Sequence, residues 1–258
     1  MKAFDTKIIA ITNQKGGVGK TTSAVNIAAF LALTETPTLL IDMDPQANAS
    51  TGVGVAFDKN NKSIYDLLIN QIKIKKCIQK TDIEYLDIIP SSQKLAGAEI
   101  ELVSMLTRES ILKEAIEAVN GQYKYIIIDS PPSLGLLTVN VFTASHSIII
   151  PIQCEYYALE GLSQLLNTVR LIQNNLNPNL EIEGVLITMY DSRLNLSNQV
   201  VNEVVEYFGS KVYKTYIQRN VRLGESPSFG KPIVLYDASS TGAQNYMNLV
   251  SEILTQHG

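Results

Sequence analysis

Cysteine and histidine are scarce in this 258-residue chain, with two of each. Cys77 and Cys154 stand far apart without a neighbouring His or Cys, so no metal site is expected around them. Both read as structural thiols, packed as small hydrophobes. Long apolar runs are missing too: Tyr125–Ile128 and Ile148–Ile152 fall far short of the roughly 20 residues that span a bilayer, which excludes a transmembrane helix of that kind. Asp5 and Thr6 precede the first strand-like run, so the N-terminus reads without a signal peptide and a cytoplasmic protein is expected. Internal repeats, low-complexity tracts and Pro- or Ser-rich linkers are absent, and residues 1–258 are expected to form one domain. The net charge of −4 is a whole-chain sum over faces that can differ in sign, so it does not decide on a nucleic-acid partner.

With 45% hydrophobic and 18% charged residues, the chain has the composition of a soluble globular protein. Short β-branched runs at Ile8–Thr12, Thr38–Ile41, Tyr85–Ile89, Tyr125–Ile128, Ser147–Pro151 and Gly184–Met189 read as strands buried on both faces. Between them Lys20–Leu33, Ile111–Val119, Leu159–Leu176 and Ser197–Phe208 are long enough for crossover helices. This alternation predicts an α/β fold with a doubly wound, mostly parallel sheet and helices on both faces. Residues 48–80 are less periodic and are expected to form loops and short helices capping one end of the sheet.

The first strand is followed by Asn13-Gln14-Lys15-Gly16-Gly17-Val18-Gly19-Lys20-Thr21-Thr22 and then at once by a helix-forming run. Glycines at this spacing let successive backbone N–H groups turn toward one point, where the next helix also aims its positive end. Such a loop binds phosphate. Lys20 is placed to reach the β- and γ-phosphates of a nucleotide, and the Thr21 hydroxyl to ligate magnesium. The strict GxxxxGK[ST] pattern fails because Gln14 stands where its first glycine belongs. The loop instead resembles the KGGxGK[ST]T phosphate loop of the family containing partition ATPases, division-site-selecting ATPases and nitrogenase iron protein. That resemblance implies bound ATP and Mg2+, and implies that Lys15 crosses a dimer interface to the partner's nucleotide.

Three acids join this loop. The second strand runs into Asp42-Met43-Asp44-Pro45-Gln46-Ala47-Asn48, at the C-terminal edge where open α/β sheets bind ligands. One of its carboxylates can serve the magnesium shell or the phosphate loop, and the other can orient an attacking water; the second role is assigned to Asp44, which lies further beyond the strand. Asp129, ending the apolar strand before Ser130-Pro131-Pro132-Ser133, reads as the acid that accepts hydrogen bonds from magnesium-bound water. The expected metal-side residues are therefore Thr21, Asp44 and Asp129, and the expected catalytic residues Lys15, Lys20 and Asp44.

The segments Asp42–Asn48, Pro151–Leu162 and Arg219–Pro232 resemble those of Soj/ParA-type partition ATPases, and the likeness extends from Lys7 to about Tyr246. It implies a nucleotide-sandwich homodimer, slow ATP hydrolysis stimulated by a ParB/Spo0J-like centromere-binding protein, nucleoid association and no membrane. It also implies adenine contacts from Gln218, Arg219 and Asn220, although Gln218 replaces the usual proline and Gly224 the usual serine. Lys211, Lys214, Arg219, Arg222 and Lys231 are opposed only by Glu225 between residues 210 and 231, which predicts a local basic patch. With Arg193 it could grip phosphates without reading bases. Arg193, Arg219 and Arg222 match the family's DNA-binding arginines.

Three other roles are compatible with this type of loop. A membrane-associated division-site ATPase needs a basic amphipathic tail, and residues 246–258 contain no Lys or Arg. A cluster-bearing electron carrier needs ligating cysteines, for which Cys77 and Cys154 stand in the wrong contexts. A metabolic ligase needs a second substrate pocket, for which the sequence offers no motif. His146 and His257 have no visible partner, and His257 falls in a tail expected to fray.

Overall fold

The computed structural model describes residues 3–56, 58, 61–155 and 162–257. Its apolar runs form the strands β1 (Lys7–Ile11), β2 (Thr38–Asp42), β3 (Gln79–Lys80), β4 (Leu86–Ile89), β5 (Tyr125–Asp129), β6 (Ser147–Gln153) and β7 (Glu181–Thr188). They make one sheet in the order β3-β4-β2-β5-β1-β6-β7. All pairs are parallel except β3 with β4. Residues 48–80 therefore do more than cap the sheet. They supply its antiparallel edge, a two-residue strand too short to show a period.

Helices cover both faces. On one side lie α1 (Lys20–Leu33) and α2 (Asn48–Gly52); on the other α3 (Ile64–Leu68), α4 (Leu95–Leu102), α5 (Ile111–Glu117), α6 (Leu136–Ala144), α7 (Leu162–Asn175) and α8 (Asn195–Phe208). The chain then returns to the α1 side with α9 (Val221–Glu225), α10 (Ile233–Tyr236) and α11 (Thr241–His257). Each central strand splits its side chains between two cores: Ile8 and Ala10 pack with Ile126, Ile128, Ile148 and Ile150, while Ile9 and Ile11 pack with Leu40, Ile127 and Ile149. This period of two under a run that is apolar throughout is what a sheet covered on both faces requires. The doubly wound α/β expectation is borne out.

Four crossover helices were legible from the sequence, with ends shifted by a few residues; Leu159 to Gly161 of the third lie outside the described residues. The tail departs from the sequence expectation. Ala243, Tyr246, Leu249, Val250 and Ile253 of α11 are buried against α1 and the sheet, with Leu249, Val250 and Ile253 each contributing up to about 1.5–3 kcal/mol. Its end does not fray: His257 stacks on Tyr125 at a centroid distance of 5.7 Å and places Nε2 2.9 Å from Glu183 Oε1. His146 has a partner as well, since its Nδ1 accepts from the Ile8 N–H at 3.2 Å.

Candidate nucleotide site

At the C-terminal end of β1 the chain turns sharply into α1. Gly17 and Gly19 adopt φ of 75° and 88°, a left-handed conformation that a side chain would strain. Gly19 ends the loop and opens the helix without any side-chain cap. Among the described residues, the N–H groups of Gly16, Gly17, Val18 and Gly19 donate to no protein acceptor. Four unmet donors at a helix N-terminus form a cradle for an anion.

The cradle is braced from beneath. Asn13 donates through Nδ2 to the Pro151 carbonyl at 2.7 Å and accepts from the Lys15 N–H at 3.0 Å. The Thr188 hydroxyl donates to the Val18 carbonyl at 2.9 Å. Thr22 offers its carbonyl to Asn26 Nδ2 at 2.8 Å, and Asn26 Oδ1 in turn accepts from the Ile233 N–H, tying the loop's helix to α10. Neither Asn13 nor Thr188 was marked by sequence reasoning as a brace, because each acts through a contact distant in the chain.

Two lysines emerge differently. Lys20 is only 7% exposed, with Nζ donating to the Lys15 carbonyl at 3.0 Å. Burial pulls its pKa below the usual lysine value, and the negative charges of Asp129 and Asp44 oppose that shift. Lys15 is half-exposed and rests 3.2 Å from Glu155 Oε2.

The three acids are held in unlike ways. Asp42 is the most heavily bonded of the three: Oδ1 accepts from the Asp44 N–H at 3.1 Å, and Oδ2 from the Ser50 N–H and hydroxyl at 2.8 and 2.7 Å. Burial pushes its pKa up to about 6, against the pull of those Ser50 bonds. Asp44 lies beyond the strand at 9% exposure, and its Oδ1 accepts from the Gln46 N–H at 2.9 Å. Asp129 is fully buried, yet neither carboxylate oxygen has a hydrogen-bond partner. Its pKa stands well above the usual carboxylate range, through burial first and then repulsion by Asp42 and Asp44, while Lys20 and the nearby Thr21 side chain oppose the rise. An orphaned carboxylate beside a threonine hydroxyl and a lysine fits a magnesium ion that keeps part of its water shell. No group of three or more His, Cys, Asp or Glu suited to an all-protein metal cage occurs among the described residues. Magnesium bound through phosphates and one or two carboxylates does not need one.

A cleft of about 200 Å³ opens beside the cradle, lined by Gly19, Thr22, Met189, Gln218, Asn220 and Tyr246 among others. Gln218 and Arg219 are placed there by bonds from the Gln218 N–H to Asn245 Oδ1 and from the Arg219 N–H to the Tyr190 carbonyl, and Asn220 caps α9 through the Arg222 N–H. The structure thus brings Gln218, Arg219 and Asn220 to the phosphate loop, although they lie about 200 residues away in sequence.

The basic patch is less free than its composition suggests. Arg193 is bound to Asp191 through both Nε and Nη2, at 2.9 and 2.6 Å, which pulls the Asp191 pKa down to about 2. Arg222 contacts Glu225 at 2.9 Å and Asp237 at 3.5 Å. Glu252 also reaches the segment, accepting from the backbone of Lys214 and Thr215. Arg219 is exposed and makes no ion pair among the described residues.

The chain matches the AAA domain family over residues 6–182. It is 59% identical over 247 residues to the sporulation initiation inhibitor protein Soj of Bacillus subtilis (strain 168), covering 96% of this chain and 98% of that one. It is 47% identical over 258 residues to the chromosome partitioning protein ParA of Caulobacter vibrioides (strain NA1000 / CB15N), covering 99% and 97%. Among solved structures, cobyrinic acid a,c-diamide synthase from Mycobacterium smegmatis with a bound ATP analog and magnesium superposes with a TM-score of 0.86 at 34% identity, covering 98% of this chain and 96% of that one.

Proposed function

Since this chain belongs to the family of the Soj and ParA chromosome-partitioning proteins, and is a magnesium-dependent ATPase of that family, we propose that ATP drives it into a homodimer that binds DNA without reading sequence. A ParB/Spo0J-like partner would then stimulate hydrolysis and release the dimer at the nucleoid. The observation that carries this reading is the unmet donor cradle facing a buried lysine and an orphaned carboxylate.

Within the site, the N–H groups from Gly16 to Gly19 and the Lys20 ammonium bind the phosphates, and Thr22 lines the adjoining cleft. Thr21, Asp44 and Asp129 would hold magnesium, which when bound would neutralise charge on the phosphates. Asp44 orients the attacking water, because Asp42 is fully buried and already accepts three hydrogen bonds from Ser50 and the Asp44 N–H, whereas Asp44 lies beyond the strand and accepts one, from the Gln46 N–H. Lys15 exchanges Glu155 for the partner subunit's nucleotide. The cleft at Gln218 to Asn220 accepts the base. Arg193, Arg219 and Arg222 grip phosphates, and pairing two copies in one rigid body multiplies the weak affinity of each patch.

A membrane-associated division-site ATPase is the runner-up. No helix among the described residues is long and apolar enough to cross a membrane. The apolar face of α11 is already spent on the core, and the helix has no Lys or Arg for lipid headgroups.

The test is binding to non-specific duplex DNA with ATP, with ADP and without nucleotide, across a salt series. Tight binding only with ATP, weakening steeply with salt and lost in Lys20→Ala, is the expected result. Equal binding in all three states would overturn the ATP switch.

A further inference from the structure

Away from the nucleotide site, a groove of about 900 Å³ runs between the α3 end of the chain and α5. Its floor is apolar: Leu67 is buried, and Ile72, Met105, Ile111 and Ala115 are partly buried against the core. One lip carries Lys73 and Lys75, followed by Lys76, all exposed. None of these lysines makes an ion pair among the described residues, whereas Lys62 and Lys80 nearby are paired with Asp66 and Asp87. The other lip carries Leu106, 91% exposed. Ile100 and Val103, spaced three residues apart before it, are 80% and 58% exposed and extend an apolar strip along the chain. Glu114 is the single carboxylate in the groove, and it accepts from the Ser110 hydroxyl at 2.7 Å.

An apolar floor with unpaired cations on one rim, in a chain of net charge −4, is a surface that pays to stay wet. We propose that this groove docks an amphipathic helix of a partner protein, whose apolar face fills the floor while its acidic face meets Lys73, Lys75 and Lys76. Helix-in-groove recognition combines these two features: buried apolar anchors give affinity, and rim charges select the sign and orientation of the partner. Nucleic acid would satisfy the lysines but leave the floor and Leu106 exposed to water, so the apolar half of the surface favours a polypeptide. The groove shares no residue with the phosphate cradle or the Gln218–Asn220 cleft. The proposal therefore stands apart from the partition reading.

The experiment uses the full chain and a fluorescein-labelled synthetic helix with leucine on one face and glutamate on the other, read by anisotropy. Saturable binding is expected, roughly tenfold or more tighter than for the same peptide with lysine in place of glutamate. Lys73→Glu with Lys75→Glu should reverse that order, and Leu106→Ser should weaken both peptides. An unchanged thermal shift with ATP certifies that each variant is folded. Equal binding of the two peptides, or none, would overturn the proposal. So would displacement of the acidic peptide by duplex DNA without nucleotide, which would make the lysines a nucleic-acid contact.

Discussion

Asp129 is the residue whose replacement separates a structural from a ligand-binding role most cleanly. Its carboxylate is fully buried and both oxygens lack a hydrogen-bond partner, so Lys20 and Thr21 compensate the charged form only in part when no ligand is bound. Asp129→Asn keeps the shape and removes the charge. The amide still leaves a buried polar group unmet, but it no longer carries a buried charge, so the ligand-free variant should be more stable than wild type by on the order of 1 kcal/mol at pH 8. For a chain of this size each kcal/mol moves Tm by about 2–4 °C, so scanning calorimetry should show a clear rise. The rise should shrink as pH falls, because burial makes the wild-type carboxyl take up its proton above the usual carboxylate range. With Mg·ATP the order reverses. A ligand present at about 100 times its Kd stabilises the native state by about 2.7 kcal/mol, and the variant should forfeit most of that. A ligand-free variant less stable than wild type, with an undiminished Mg·ATP shift, would refute the reasoning and make Asp129 part of the scaffold.

Asp42 gives a pH signature: its folded pKa of about 6 exceeds the ordinary 3.8, so the folded state takes up the proton first and stability rises as pH falls through that window. The full gain is on the order of 3 kcal/mol, of which roughly half falls between pH 7.5 and 5, where unfolding of wild type against Asp42→Asn checks it; a pH-independent difference would contradict the shift. Gly184→Ala would place a methyl 2.3 Å from Cε2 of the buried Tyr213 ring, and denaturant unfolding should show a loss of about 1–3 kcal/mol that Tyr213→Leu partly restores. Asp191→Asn should release Arg193 from its bidentate clamp and tighten ATP-dependent DNA binding several-fold at low salt. Unchanged affinity would remove Arg193 from the DNA contact.

Local chemistry was legible wherever function depends on neighbours in the chain. Gly17 and Gly19 declare a loop whose backbone must turn left-handed, and Lys20 and Thr21 follow within the same turn. The strand ends at Asp42 and Asp129 were readable because an acid closing a buried apolar run is conspicuous. The edge strand β3 was not, since two residues carry no period. The packed tail was not either: α11 earns its order from a surface on α1 and the sheet that no local pattern reveals.

By itself the sequence determined the layered α/β architecture, the phosphate loop and the identity of the acids around it, because apolar period, glycine spacing and strand-end charge are local properties. Only the tertiary structure decided what each group is free to do. Ser50 occupies Asp42 and leaves Asp129 bare, Glu155 holds Lys15, Asp191 holds Arg193, and His257 is pinned beside Glu183. Pairing of this kind depends on which distant side chains burial brings within a few ångströms, where a desolvated charge must be matched, bound or left waiting for a ligand.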